Sequence, residues 1–110
     1  MSSDRMRRVD EALREVLSDA SKGLKDPRIG FVTVTDVKTS PDLRHARVYV
    51  SVLGDEDVRS ASLEGLQSAH GVLQRRVATE LRLKRTPTLE FVYDDTTDRA
   101  MRMEELLDDD

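Results

Sequence analysis

A chain of 110 residues that is 37% hydrophobic and 36% charged has room for one modest core, built on Val and Leu with two Phe, two Tyr and no Trp, and none for a second. The lack of Cys excludes disulfides, thiolate metal sites and thiol nucleophiles, and no apolar run approaches the roughly 20 residues of a bilayer crossing or the core of a secretory signal. A net charge of −4 excludes a strongly basic domain but not a basic face, because Asp94 to Asp110 holds eight acids against two bases and leaves +2 on residues 1–93.

Asp4 is placed to cap a first helix whose apolar stripe is Met6, Val9, Leu13, Val16, Leu17 and Ala20, with Gly23 ending it. Pro27 and Gly30 mark a loop. Phe31 to Thr39, rich in β-branched residues with Val34 and Val37 inside, reads as a first strand. Ser40-Pro41-Asp42 is a turn, after which Ala46, Val48, Val50 and Val52 alternate with Arg47, Tyr49, Ser51 and Leu53 in a second strand, antiparallel to the first. Gly54-Asp55-Glu56-Asp57 turns the chain and sets acids at the positive end of the next helix. From Val58 to Leu83 the pattern is one long amphipathic helix, apolar at Leu63, Leu66, Ala69, Leu73, Val77 and Leu81 and jointed at Ala69-His70-Gly71. Pro87 forbids its continuation. Leu89 to Tyr93 is a third strand, and Met101 to Leu107 a short terminal helix.

A glycine in mid-helix costs about 1 kcal/mol against Ala, so Gly71 implies a bend or the close approach of another backbone. Beyond it, Arg75, Arg76, Arg82, Lys84 and Arg85 place five cations in eleven residues against the single Glu80. A glycine joint that brings backbone amides beside arginines can receive a phosphate chain. A packing joint with a solvated basic face fits the same residues, and Arg76 can instead pair with Glu80 four residues on. Two further basic groups are Arg5, Arg7 and Arg8 at the start and Lys22, Lys25 and Arg28 around the first loop.

The order αββααβ predicts an α+β two-layer sandwich, with a three-stranded sheet covered on one side by helices. A type II KH domain has this order, and KH domains hold single-stranded nucleic acid at a Gly-x-x-Gly loop between two helices. Here the joint reads Ser68-Ala69-His70-Gly71, with one glycine missing. The chain resembles the ribosome-binding factor A family, bacterial small-subunit assembly factors of type II KH-like fold in which an interhelical Ala-x-Gly kink replaces that loop. Ala69-His70-Gly71 matches the kink. The resemblance extends through Arg5 to Val9, Lys25-Asp26-Pro27-Arg28, Val32 to Val37, Ser40-Pro41-Asp42-Leu43, Ala46 to Val52, Leu83 to Phe91 and Met101-Arg102-Met103, about nine-tenths of the chain.

The resemblance implies a non-catalytic, cytoplasmic factor that binds free, immature small ribosomal subunits and assists late maturation of their ribosomal RNA, 5′-end processing included, with importance at low temperature. The expected RNA contacts are the kink, Ser68, Ala69, His70 and Gly71, with Arg75, Arg76, Arg82, Lys84 and Arg85, followed by Arg5, Arg7 and Arg8. Residues 1–95 form the KH-like RNA-binding domain, and 96–110 a short acidic helix or tail. A closed two-layer sandwich without a long apolar patch suggests a monomer.

Catalysis finds little support. His45 and His70 are the two histidines, and neither has a nucleophile at fixed spacing. Asp94 and Asp95 are better read as a strand-end turn than as an acid pair, and Asp108 to Asp110 as a solvated end than as a cation site. No phosphate-binding glycine loop or metal-ligand spacing is present, so neither cofactor nor metal is expected. The rival from another class is a KH-fold module that docks protein through the open face of the sheet or the acidic tail. Salt separates the two, since contacts to several phosphates weaken steeply as it rises.

Overall fold

The computed structural model describes residues 2–95, in the order α1 (Ser2–Lys22), β1 (Phe31–Thr39), β2 (His45–Leu53), α2 (Glu56–Ser68), α3 (His70–Leu81) and β3 (Thr88–Tyr93). The sheet runs β1-β2-β3, with β1 antiparallel and β3 parallel to β2. Parallel pairing requires a crossover, which α2 and α3 supply while covering the sheet. α1 lies on β1 and α3, and α2 on β3 and β2, so one layer of helices closes over one face of the sheet, giving the α+β sandwich of KH-like type. The terminal helix expected at Met101 to Leu107 lies outside the described residues.

The core lies between those layers. Leu13 and Leu17 of α1, Val37, Val48, Val50 and Leu89 of the strands, and Leu66, Leu73 and Val77 of the later helices are each at most 1% exposed. At roughly 1.5–3 kcal/mol per buried aliphatic side chain, this cluster is the main favourable term. Val34 and Val37 both face it although three residues apart, because a bulge at Thr35 shifts the register between Val34↔Val50 and Asp36↔Tyr49. The bulge also turns the Thr35 hydroxyl to 3.2 Å from the Tyr49 carbonyl and 2.6 Å from the Asp94 carboxylate. Asp94 is itself buried, and its amide donates to the Val50 carbonyl at 2.7 Å, prolonging the β2–β3 ladder.

Three helix ends differ from the sequence pattern. α1 begins at Ser2, so Asp4 sits in its first turn, where it favours the positive end without capping it. The next helix starts at Glu56, because the Asp55 carboxylate accepts from the Val58 amide at 3.0 Å as a true N-cap. The third helix stops at Leu81, two residues early, because Arg82 takes the left-handed conformation (φ 50°, ψ 41°) usually given to glycine. Pro87, five residues further on, does not end the helix; its side chain is fully buried and its carbonyl accepts from the Gln74 side chain at 2.8 Å.

Candidate nucleic-acid interface

The joint between α2 and α3 falls on Ala69, whose φ of −88° and ψ of 6° leave the helical region while its amide still reaches the Gly65 and Leu66 carbonyls at 3.1 Å. Ala69 packs against the core, as a small residue must where two helices meet the sheet. Gly71 does not make the joint. It lies in the first turn of α3 without a left-handed φ, and a Cβ placed on it would meet nothing within 4 Å. The demand that the sequence pattern places on Gly71 falls instead on Gly65, one turn before the joint, where a Cβ would lie 2.6 Å from Ile29 Cγ1. The close approach is therefore between α2 and the loop at 24–30, which Ser62 also holds by accepting from the Gly30 amide at 3.0 Å.

Ser68 and His70 are exposed on either side of Ala69. The His70 ring places Nδ1 2.8 Å from the Gln67 carbonyl. A carbonyl only accepts, so Nδ1 carries the hydrogen of this contact, and Nε2 lies on the far side of the exposed ring. Bare backbone around Gly71 and this outward nitrogen form a small polar platform.

The basic residues are not gathered at that platform. The length of α3, twelve residues or roughly 18 Å, separates the joint from Arg82. Arg75 stands exposed on the helix between them, beside half-exposed Val72. Arg76 is diverted: its guanidinium donates to Glu80 at 2.9 Å and to Asp19 of α1 at 2.8 Å, pinning two helices together, and these carboxylates raise its already high pKa. Arg76 therefore leaves the set of free cations. So does Arg28, which grips Asp26 at 2.6 Å and, by that hydrogen bond first, lowers the Asp26 pKa. Arg7 is paired loosely with Asp4 at 3.4 Å, and Arg8 is exposed.

What the fold does bring together is Arg5 with Arg82, Lys84 and Arg85. These residues, from opposite ends of the described chain, line one cleft of about 360 Å³ with Asp42, Leu43 and Leu83. Sequence spacing could not join Arg5 to the later group, since only packing of α1 on α3 does so. A second feature escaped the sequence pattern: Phe31 and Leu53, directly paired at one end of the sheet, are 83% and 78% exposed. Among the described residues no cluster of His, Asp and Glu could hold a metal, and no helix is long and apolar enough to cross a membrane.

Comparison with known proteins gives this geometry a setting. The family model for ribosome-binding factor A matches residues 5–107. A ribosome-binding factor A of Anaeromyxobacter sp. (strain K) is 56% identical over 106 residues, covering 94% of this chain and 77% of that protein. One from Halothermothrix orenii is 44% identical over 108 residues, covering 97% and 88%. The crystal structure of ribosome-binding factor A from Thermus thermophilus superposes with a TM-score of 0.73 at 30% identity, over 80% of this chain and 94% of that one. A homology model of the Thermus thermophilus factor, fitted into a cryo-EM map of its complex with 30S, superposes with a TM-score of 0.65 at 31% identity, over 76% and 88%.

Proposed function

The chain belongs to the ribosome-binding factor A family, and from that membership we propose that it binds the small ribosomal subunit and acts there as a non-catalytic assembly factor. The observation that carries the reading is the likeness to the relative fitted into a 30S complex. In this role the protein binds free, immature subunits in the cytoplasm as a monomer and assists late maturation of their RNA, including 5′-end processing. Binding energy alone suffices for such work: a surface that grips one arrangement of RNA better than another shifts the equilibrium between them. Low temperature, which slows the rearrangement of mispaired RNA, is where that help matters most.

The RNA-facing surface in this reading runs from Ser68, Ala69, His70 and Gly71 past Arg75 to Arg82, Lys84, Arg85 and Arg5, with Arg7 and Arg8 at its border. Support comes from the open space over Gly71 at the joint and from four cations at the cleft that pair with no carboxylate among the described residues. The exposed Phe31–Leu53 pair favours a second reading, a contact with protein at the other end of the sheet. Sedimentation of a cell lysate tests the proposal. The protein should travel with free small subunits and be absent from translating ribosomes. Remaining wholly at the top of a low-salt gradient would end it.

A further inference from the structure

We propose that the cleft between the 40–44 turn and the segment following α3 is a seat for a backbone phosphate of single-stranded RNA, held by Arg5, Arg82, Lys84 and Arg85. The inference rests on the small-subunit reading and deepens it by naming the charge contact.

Three observations meet at this cleft. The first is convergence, since cations from the first turns of α1 and from residues 82–85 line one opening of about 360 Å³. The second is availability. Among the described residues Arg7, Arg14, Arg28, Arg44, Arg47 and Arg76 each pair with a carboxylate, whereas Arg5, Arg82, Lys84 and Arg85 do not. The one acid in the wall, Asp42, is engaged by its own turn: its carboxylate accepts from the Ser40 hydroxyl at 2.6 Å and from the Arg44 amide at 3.0 Å. Four positive charges thus face one negative charge already held from behind.

The third observation is backbone conformation. Leu43 (φ 60°) and Arg82 (φ 50°) are the two non-glycine residues of the described chain in the left-handed region, and both line this cleft. A Cβ disfavours that conformation, and residues held in it cluster at ligand sites. At Arg82 it ends α3 and takes Lys84 and Arg85 off the helix axis. At Leu43 it closes the turn, with the Leu43 amide donating to the Ser40 carbonyl at 2.9 Å. Guanidinium groups present paired N–H donors that match phosphate oxygens, so the contact is directional as well as electrostatic.

The test is an NMR titration of the full isotope-labelled chain with inorganic phosphate, with a single-stranded oligouridylate, and with a glutamate peptide of equal charge. The amides of Leu43 and of Arg82 to Arg85 should shift first and saturably with phosphate and with the RNA, and less with the peptide. Lys84→Gln with Arg85→Gln should weaken oligonucleotide binding at least about tenfold near 0.1 M salt and lower its salt slope by about two, with thermal unfolding unchanged. If the double variant unfolds, Arg85→Gln alone should lower the slope by about one. Shifts centred on Ala69 to Gly71 with none at the cleft, or unchanged affinity and slope in a folded variant, overturn the seat while co-sedimentation with small subunits stands. An equal response to the peptide overturns RNA as the occupant. Loss of co-sedimentation by the unaltered chain would instead overturn the family-based reading.

Discussion

Gly65 and Gly71 lie six residues apart on either side of one joint, and a methyl group added to each should act in opposite directions. At Gly71 the new Cβ meets open space in a helical conformation, so Gly71→Ala should stabilise the domain by up to about 1 kcal/mol through helix propensity. Even Gly71→Val, which a demand for positive φ or close backbone contact would make costly, should change stability by only a few tenths of a kcal/mol. At Gly65 the Cβ would lie 2.6 Å from Ile29 Cγ1, so Gly65→Ala should destabilise by about 1–3 kcal/mol as the loop at 24–30 is pushed off α2. Urea unfolding of the three variants checks this. A Gly71→Ala protein less stable than its parent would show that the joint does use that glycine.

Among the elements, β3 is a short edge strand whose outer side is sealed by a side chain. Gln67 of α2 donates to the Leu89 carbonyl at 3.1 Å and accepts from the Phe91 amide at 3.2 Å, which occupies the edge as a neighbouring strand would. Gln67→Ala should cost about 1–2 kcal/mol, the net worth of two such bonds, and hydrogen exchange should quicken at Phe91 before elsewhere in the sheet. Two turns carry a pH dependence. Arg28 lowers the pKa of Asp26, and the Ser40 hydroxyl and Arg44 amide lower that of Asp42, each from an ordinary value of 3.8. A lowered carboxylate contributes stability that is present above its ordinary pKa and lost as pH falls through the folded one. The loops at 24–30 and 40–44 should therefore loosen below about pH 4, while the sheet holds. Amide shifts followed from pH 6 downward would show it, and simultaneous collapse of loops and sheet would contradict it.

Over the whole molecule, charge is divided between a basic surface and an acidic end: eight acids and two bases follow from Asp94 onward. Deleting Glu104 to Asp110 removes five of those acids and should raise affinity for RNA by relieving like-charge repulsion, an effect that fades as salt shortens the screening length to about 3 Å near 1 M. Binding titrations of both chains at several salt concentrations measure it. An equal salt slope with equal affinity would show that the tail does not sense the RNA.

The succession of elements was legible in the chain because it rests on local periodicity. The stripe from Leu13 to Ala20 and the alternation from Ala46 to Val52 each state their structure within a few turns, and the order and residues of the elements were enough to indicate the KH-like fold and the family; the joint was indicated too, but by Gly71, which does not make it. Three things were not legible. The left-handed Arg82 gives no glycine to mark it, the Gly65–Ile29 approach joins residues 36 positions apart, and Arg76 is drawn to Asp19, 57 positions away. Sequence pattern records which faces are apolar, and so determines what must be buried. Which surface cations remain unpaired, and which meet across a cleft, depends on where separate elements come to rest against one another, and only tertiary packing, α1 against α3, decided that Arg5 would line the same cleft as Arg85.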